Sequence, residues 1–302
     1  MDRKLGGLVG LLVGDALGVP YEFRAADQIP ARVEMTPPAG YDRAHRGVPP
    51  GTWSDDGAHA LCLLDSLLDK GALDVEDLGR RLTNWYHHGY LAVDGVFDVG
   101  ITTTAAIAAL DRGTPAALAG PSEERDNGNG SLMRLLPLAL WHEGPDEALV
   151  RDAAAQSCVT HGHPRSQACC AVYALWARGV LEGRAHAYEA ALDAVAAHAG
   201  FGVEVAAIRA FRTPRGSGYV VDALVSARTA MDAGDYEAVV RRAIAFGDDT
   251  DTTACIAGGI AGVRDGFDAI PAGWVAALRG KAKLQPLITR WLGPAAAARV
   301  AP

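Results

Sequence analysis

The chain predicts an all-α fold. Helical periodicity runs through nearly all of its 302 residues, several stretches are alanine-rich, and no regular series of alternating strand segments or internal repeat is visible. A hydrophobic fraction of 49% with 21% charged residues fits a folded chain rather than a disordered one, and the length suffices for a large core.

The elements follow in order. Asp2-Arg3-Lys4 and the glycine-rich apolar run over 5–14 have the outline of a short signal peptide. That run leads straight into Gly14-Asp15-Ala16-Leu17-Gly18-Val19-Pro20-Tyr21-Glu22, which reads as part of a working fold. After Asp56, the residues Ala60, Leu61, Leu64, Leu67 and Leu68 recur at helical spacing, and Gly71 stands where a glycine closes a helix. Residues 132–141 are strongly apolar, interrupted by Arg134 and Pro137, and residues 168–181, 188–197 and 220–231 each read as alanine-rich helix. Residues 254–263 hold small side chains that let backbones approach closely, which predicts a central, buried helix. Loops are expected over 35–52, 121–130 and 213–218, the first long enough to be functional. None has the character of a linker, so one domain over 1–302 is expected.

Composition also excludes. A net charge of −8 with no basic face argues against nucleic acid, and no apolar run reaches the roughly 20 residues that cross a bilayer. The five cysteines are odd in number, include an adjacent pair and form no Cys-x-x-Cys, which fits a reducing cytoplasm better than a disulfide framework or zinc site.

Two acidic clusters carry the chemical signal: Ser54-Asp55-Asp56, and Asp248-Asp249-Thr250-Asp251-Thr252, each followed by a helix-like run. Either alone could be a helix cap with favourable first-turn charge. Together they supply hard oxygen donors of the kind that Mg²⁺, Mn²⁺ or Ca²⁺ prefers. Two charges about 4 Å apart repel by roughly 4 kcal/mol at an effective dielectric of about 20, so convergence of the clusters would call for cations. Glu22 is either a solvated acid or a group that handles a proton. Asp126-Asn127-Gly128-Asn129-Gly130-Ser131 is either a turn with positive φ at its glycines or a helix entrance offering N–H donors to phosphate or ribose. Asp98 to Thr104 reads as a helix start, and Thr160-His161-Gly162-His163-Pro164 opens another helix where a histidine could meet a ligand.

In this order the segments resemble the ADP-ribosylglycohydrolase family. The matching pieces are Gly14-Asp15-Ala16-Leu17-Gly18-x-Pro20-x-Glu22, Trp53-Ser54-Asp55-Asp56, Phe97-Asp98-Val99-Gly100 and Gly128-Asn129-Gly130-Ser131-x-Met133-Arg134. Thr160-His161 with Pro164, Gly218-Tyr219-Val220, Gly247-x-Asp249-Thr250-Asp251-Thr252, and Ile270-Pro271 with Trp274 complete a series that spans nearly the whole chain. The resemblance implies a compact orthogonal helical bundle with two Mg²⁺ or Mn²⁺ ions at the base of a cleft. It assigns metal ligation to Ser54, Asp55, Asp56, Asp249, Asp251 and Thr252. It places Glu22 near the scissile bond and Asn129, Gly130, Ser131 and His161 along the ADP-ribose cleft, with Asp98 and Gly100 beside them. Glu22 or Asp56 would accept a proton.

Two departures stand out. The family usually shows Thr-Asp-Asp-Thr where this chain has Ser54-Asp55-Asp56-Gly57, and Asp248 replaces a usual glycine. The expected reaction is hydrolysis of an ADP-ribosyl bond, with arginine on a protein as the acceptor. A serine-linked or small-molecule conjugate, a silent ADP-ribose binder and a two-metal phosphatase are the alternatives.

Overall fold

In the computed structural model, which describes residues 2–198 and 200–301, the all-α expectation holds. The helices are α1 (Asp2–Gly18), α2 (Asp55–Lys70), α3 (Val75–His88), α4 (Ile101–Asp111), α5 (Leu136–Trp141), α6 (Asp146–Cys158), α7 (Pro164–Leu181) and α8 (Ala187–Ala197). They continue with α9 (Gly202–Ala210), α10 (Val220–Ala230), α11 (Tyr236–Ile244), α12 (Thr250–Asp265), α13 (Ala272–Ala277), α14 (Lys281–Leu292) and α15 (Pro294–Ala298).

At the centre α1 lies antiparallel to α12, the most extensive helix pairing among the described residues. The sequence builds this seam with Gly6, Gly10, Gly14 and Gly18, four apart and therefore on one face. A Cβ at Gly14 would sit 2.1 Å from the Ala254 carbonyl oxygen, and one at Gly10 would sit 2.6 Å from that of Gly258. Only glycine lets the backbones lie this close. The stretch with the outline of a signal peptide is thus the first core helix, buried from Leu5 onward. Residues 254–263 lie inside α12, which is buried from Thr250 to Val263 as its small residues predicted. Tyr236 and Tyr173 donate from α11 and α7 to the carbonyls of Gly10 (2.8 Å) and Ile256 (3.0 Å), securing both helices to the surrounding layer.

Gly71 closes α2 at φ +67, donating its N–H to the Leu67 carbonyl. The apolar run over 132–141 is helical only from Leu136, with Pro137 in the first turn, where its missing N–H costs nothing. One feature departs from an entirely helical reading: β1 (Arg24–Ala25) pairs antiparallel with β2 (Gly247–Asp248), in register Arg24↔Asp248 and Ala25↔Gly247. Phe23 N–H extends the ladder to the Asp248 carbonyl at 2.7 Å. This short clip ties the segment after α1 to the segment before α12. Among the described residues, no helix is long and apolar enough to cross a membrane.

Candidate metal centre and substrate cleft

The first acidic cluster is the N-terminus of α2. Ser54 is the N-cap and accepts from Asp56 N–H at 3.2 Å. The stronger cap comes from α1. The fully buried Asp15 carboxylate accepts from Ser54 N–H (2.9 and 3.1 Å) and Gly57 N–H (2.8 Å). Burial lifts Asp15 to about 7, while these N–H groups pull the other way. With the orphan donors satisfied from outside, Asp55 and Asp56 are free to face the cleft. The Gly57 departure has a steric reason. A Cβ there would lie 2.7 Å from Leu12 Cδ2 and 2.9 Å from Asp15 Oδ2, leaving no room for threonine in this arrangement.

The second cluster is the N-terminus of α12, and Asp249 in the cap position makes no cap bond. Its carboxylate accepts instead from Asn129 Nδ2 at 2.9 Å, and its N–H donates to the Gly216 carbonyl at 2.9 Å. Thr250 Oγ1 donates to the Gly18 carbonyl at 2.9 Å, fixing α12 against the end of α1. The clusters meet where Thr252 Oγ1 donates to Asp56 Oδ1 at 3.3 Å, across 196 positions of sequence. Glu22, Asp249 and Asp251 bring carboxylate oxygens within 4.8 Å of one another. Asp248, in the place of the family's glycine, sits at φ +59, a left-handed position that explains the glycine preference and that aspartate tolerates better than most residues.

Burial, reinforced by neighbouring carboxylates, pushes Asp55, Asp56 and Asp251 well above the usual carboxylate range. Buried oxygens Asp56 Oδ2 and Asp251 Oδ2 have no hydrogen-bond partner. Two orphaned carboxylate oxygens, one from each cluster and set among further hard donors, fit a divalent cation site.

Glu22 follows the close of α1, 3% exposed, and its carboxyl is pushed up to about 11 by burial and then by the charges of Asp98, Asp249, Asp56 and Asp15. His45 Nε2 stands 2.6 Å from Glu22 Oε2 and 3.9 Å from Asp98 Oδ1. Its imidazole lies beside the rings of Phe23 and Phe97. Sequence reasoning missed His45, because nothing in a 35–52 loop without periodicity marks one residue above another. It also assigned no role to Asp15, which the structure shows to be a buried helix cap.

A cleft of about 540 Å³ opens over the acidic floor. Of the residues expected at the site, Glu22, Asp55, Asp56, Asp98, Gly100, Asn129, Gly130, His161, Asp249 and Thr252 line it. Ser54 and Asp251 are buried and do not line it. Ser131 is turned away: its hydroxyl bonds Ser157 Oγ at 2.8 Å, and Ser157 Oγ donates to the His161 carbonyl at 2.9 Å. The loop around Gly128 is held by a bridge to Tyr219 and by Asn129 N–H donating to the Gly218 carbonyl at 3.1 Å. Gly128 and Gly130 do not have positive φ, contrary to the simple-turn alternative. They are small because a Cβ would meet the His161 ring, 3.1 Å from Nε2 at Gly128 and 2.8 Å from Cε1 at Gly130.

An all-α chain with converging acidic helix N-termini beneath a nucleotide-sized cleft is organised as a hydrolase. The ADP-ribosylglycohydrolase family profile matches residues 1–300, and the chain belongs to that family. It is 32% identical over 286 residues to the ADP-ribosyl-[dinitrogen reductase] glycohydrolase of Rhodospirillum rubrum, covering 92% of this chain and 90% of that protein. It is 30% identical over 285 residues to the ADP-ribosylarginine hydrolase Tri1 of Serratia proteamaculans, covering 91% and 75% respectively. A solved structure described as an ADP-ribosylglycohydrolase-related protein complex superposes with a TM-score of 0.75 at 31% identity, covering 99% of this chain and 96% of that one.

Proposed function

We propose that this chain is a divalent-cation-dependent hydrolase that removes ADP-ribose from arginine side chains of a modified protein. The observation that carries the reading is the pair of buried, unpartnered oxygens, Asp56 Oδ2 and Asp251 Oδ2, one from each acidic cluster, at a cleft that Asp55 and Asp249 line. Arginine is favoured as acceptor by the carboxyl groups of Glu22 and Asp98 on the cleft lining, which suit a guanidinium once bound cations keep them ionised, and by the name of the relative from Serratia proteamaculans.

Ser54, Asp55, Asp56, Asp249, Asp251 and Thr252 would hold two Mg²⁺ or Mn²⁺ ions, which when bound supply positive charge beside the ribose hydroxyls and lower the pKa of water there. Glu22, ionised once bound cations offset the burial and the neighbouring carboxylate charges that raise it, would take the proton of the attacking water, with Asp56 the second candidate for that role. Asn129, Gly130 and His161, with Asp98 and Gly100, line the cleft that would receive the ADP-ribose, and Ser131 would support it from behind. The transition state at C1 of the ribose is oxocarbenium-like, so a fixed carboxylate and a positioned water are the main requirements. Nucleic acid is left outside its partners by the net charge of −8, and the five unpaired cysteines suit a reducing cytoplasm.

The test is incubation with arginine-ADP-ribosylated protein in Mg²⁺ or Mn²⁺, then in chelator. Release of free ADP-ribose that stops on chelation is expected. AMP plus ribose phosphate would point to anhydride cleavage, and no turnover to a binding protein.

A further inference from the structure

Arg134 is fully buried and has no carboxylate partner among the described residues. Its guanidinium donates only to neutral oxygens: Gln156 Oε1 (2.9 Å), the carbonyls of Gln156 (2.7 Å) and Gly130 (3.2 Å), and Thr160 Oγ1 (2.7 Å). An unpaired cation in a protein interior is costly, and it points to a use for the charge. The chain of contacts continues, because Thr160 Oγ1 lies 2.8 Å from Nδ1 of His161, whose ring lines the cleft beneath Gly128 and Gly130.

From these contacts we infer that Arg134 and Thr160 are positioning residues that fix His161 as its Nε2–H tautomer, making it a neutral hydrogen-bond donor to an oxygen of the bound substrate. The argument is a count of protons. Thr160 Oγ1 accepts from the Arg134 cation, so its own hydrogen must be donated elsewhere, and His161 Nδ1 is the acceptor within reach. Were Nδ1 protonated, two donors would converge on one hydroxyl, and that hydroxyl, with Thr160 fully buried, would have nowhere to send its hydrogen. With Nδ1 accepting, the ring's proton sits on Nε2, at the edge that the two glycines leave uncovered. Burial keeps the ring from charging and the Arg134 cation adds to it, holding His161 down at about 3. The donor therefore keeps its form across physiological pH.

That the oxygen belongs to ADP-ribose rests on the functional reading above, whereas the tautomer does not. Long-range ¹H–¹⁵N correlation spectra of ¹⁵N-histidine-labelled protein, with His161 assigned by its loss in His161→Asn, read the tautomer directly. Wild type is expected to show unprotonated Nδ1 and protonated Nε2. Thr160→Val is expected to lose that preference and to bind ADP-ribose about ten-fold more weakly, the size of one hydrogen bond. Thr160→Ser should restore both. A protonated Nδ1 in wild type, or a Thr160→Val protein with unchanged tautomer and affinity, would overturn the inference. Wild-type protein with the expected tautomer but no affinity for ADP-ribose would instead overturn the reading of the cleft.

Discussion

Removing one carboxylate from the floor should raise stability without metal and lower it with metal. In Asp251→Asn the side chain keeps its shape and loses its charge. Glu22, Asp249 and Asp251 hold oxygens within 4.8 Å of one another. Two unit charges at about that separation repel by roughly 3.5 kcal/mol at an effective dielectric of about 20. The raised affinities of these buried groups for protons relieve part of that repulsion, so a net gain of about 1–2 kcal/mol is expected in chelator. For a chain of this size each kcal/mol moves Tm by about 2 °C, so the variant should melt roughly 2–4 °C above wild type in EDTA. In Mn²⁺ at about a hundred times Kd, wild type gains about 2.7 kcal/mol by mass action, the variant gains much less, and the order reverses. Thermal melts of both proteins with and without Mn²⁺ test this. A variant that melts below wild type in EDTA, or that gains as much from Mn²⁺, refutes the reasoning.

Other outcomes follow from the same structure. Gly14→Ala places a Cβ 2.1 Å from the Ala254 carbonyl oxygen and should cost about 3 kcal/mol in urea denaturation as α1 and α12 separate; a change under about 0.5 kcal/mol would refute the seam. His59 is fully buried with both ring nitrogens unpartnered, and burial holds it well below its ordinary 6.5. The unfolded chain therefore takes up a proton below about pH 6.5 that the folded chain refuses, and stability falls by up to about 1.4 kcal/mol per pH unit as pH drops. His59→Leu should remove that slope and gain on wild type as pH falls, whereas parallel curves from pH 7 to 5 would contradict it. Glu22→Gln should lower kcat about a hundred-fold or more while Mn²⁺ affinity, read by titration, changes little; near-normal turnover would remove Glu22 from proton transfer.

Much of the fold was legible because its strongest signals are local. The small residues of α12 predict burial and close approach, and Gly71 marks the end of α2 in both readings, whereas the glycines of α1 read only as part of a working fold. The clip between β1 and β2 was not legible, since two residues per strand carry no periodicity and pair across the whole chain. At the site, the carboxylates announced themselves by residue type and crowding. What sequence could not supply was direction. Ser131 lies within the expected motif yet turns inward to Ser157, and Asp15 turns inward to cap α2. His45 reaches Glu22 from a loop whose path is set by tertiary contacts, such as Ala44 N–H donating to the Pro20 carbonyl at 3.1 Å.

The claim beneath all of this is that α2 and α12 contribute jointly to one pair of cation sites. Mn²⁺ titration followed by electron paramagnetic resonance measures it most directly. Wild type should take up two ions per chain, and Asp55→Ala on α2 and Asp251→Ala on α12 should each lose binding, with helical circular dichroism preserved. Two ions still bound tightly after either substitution would contradict it.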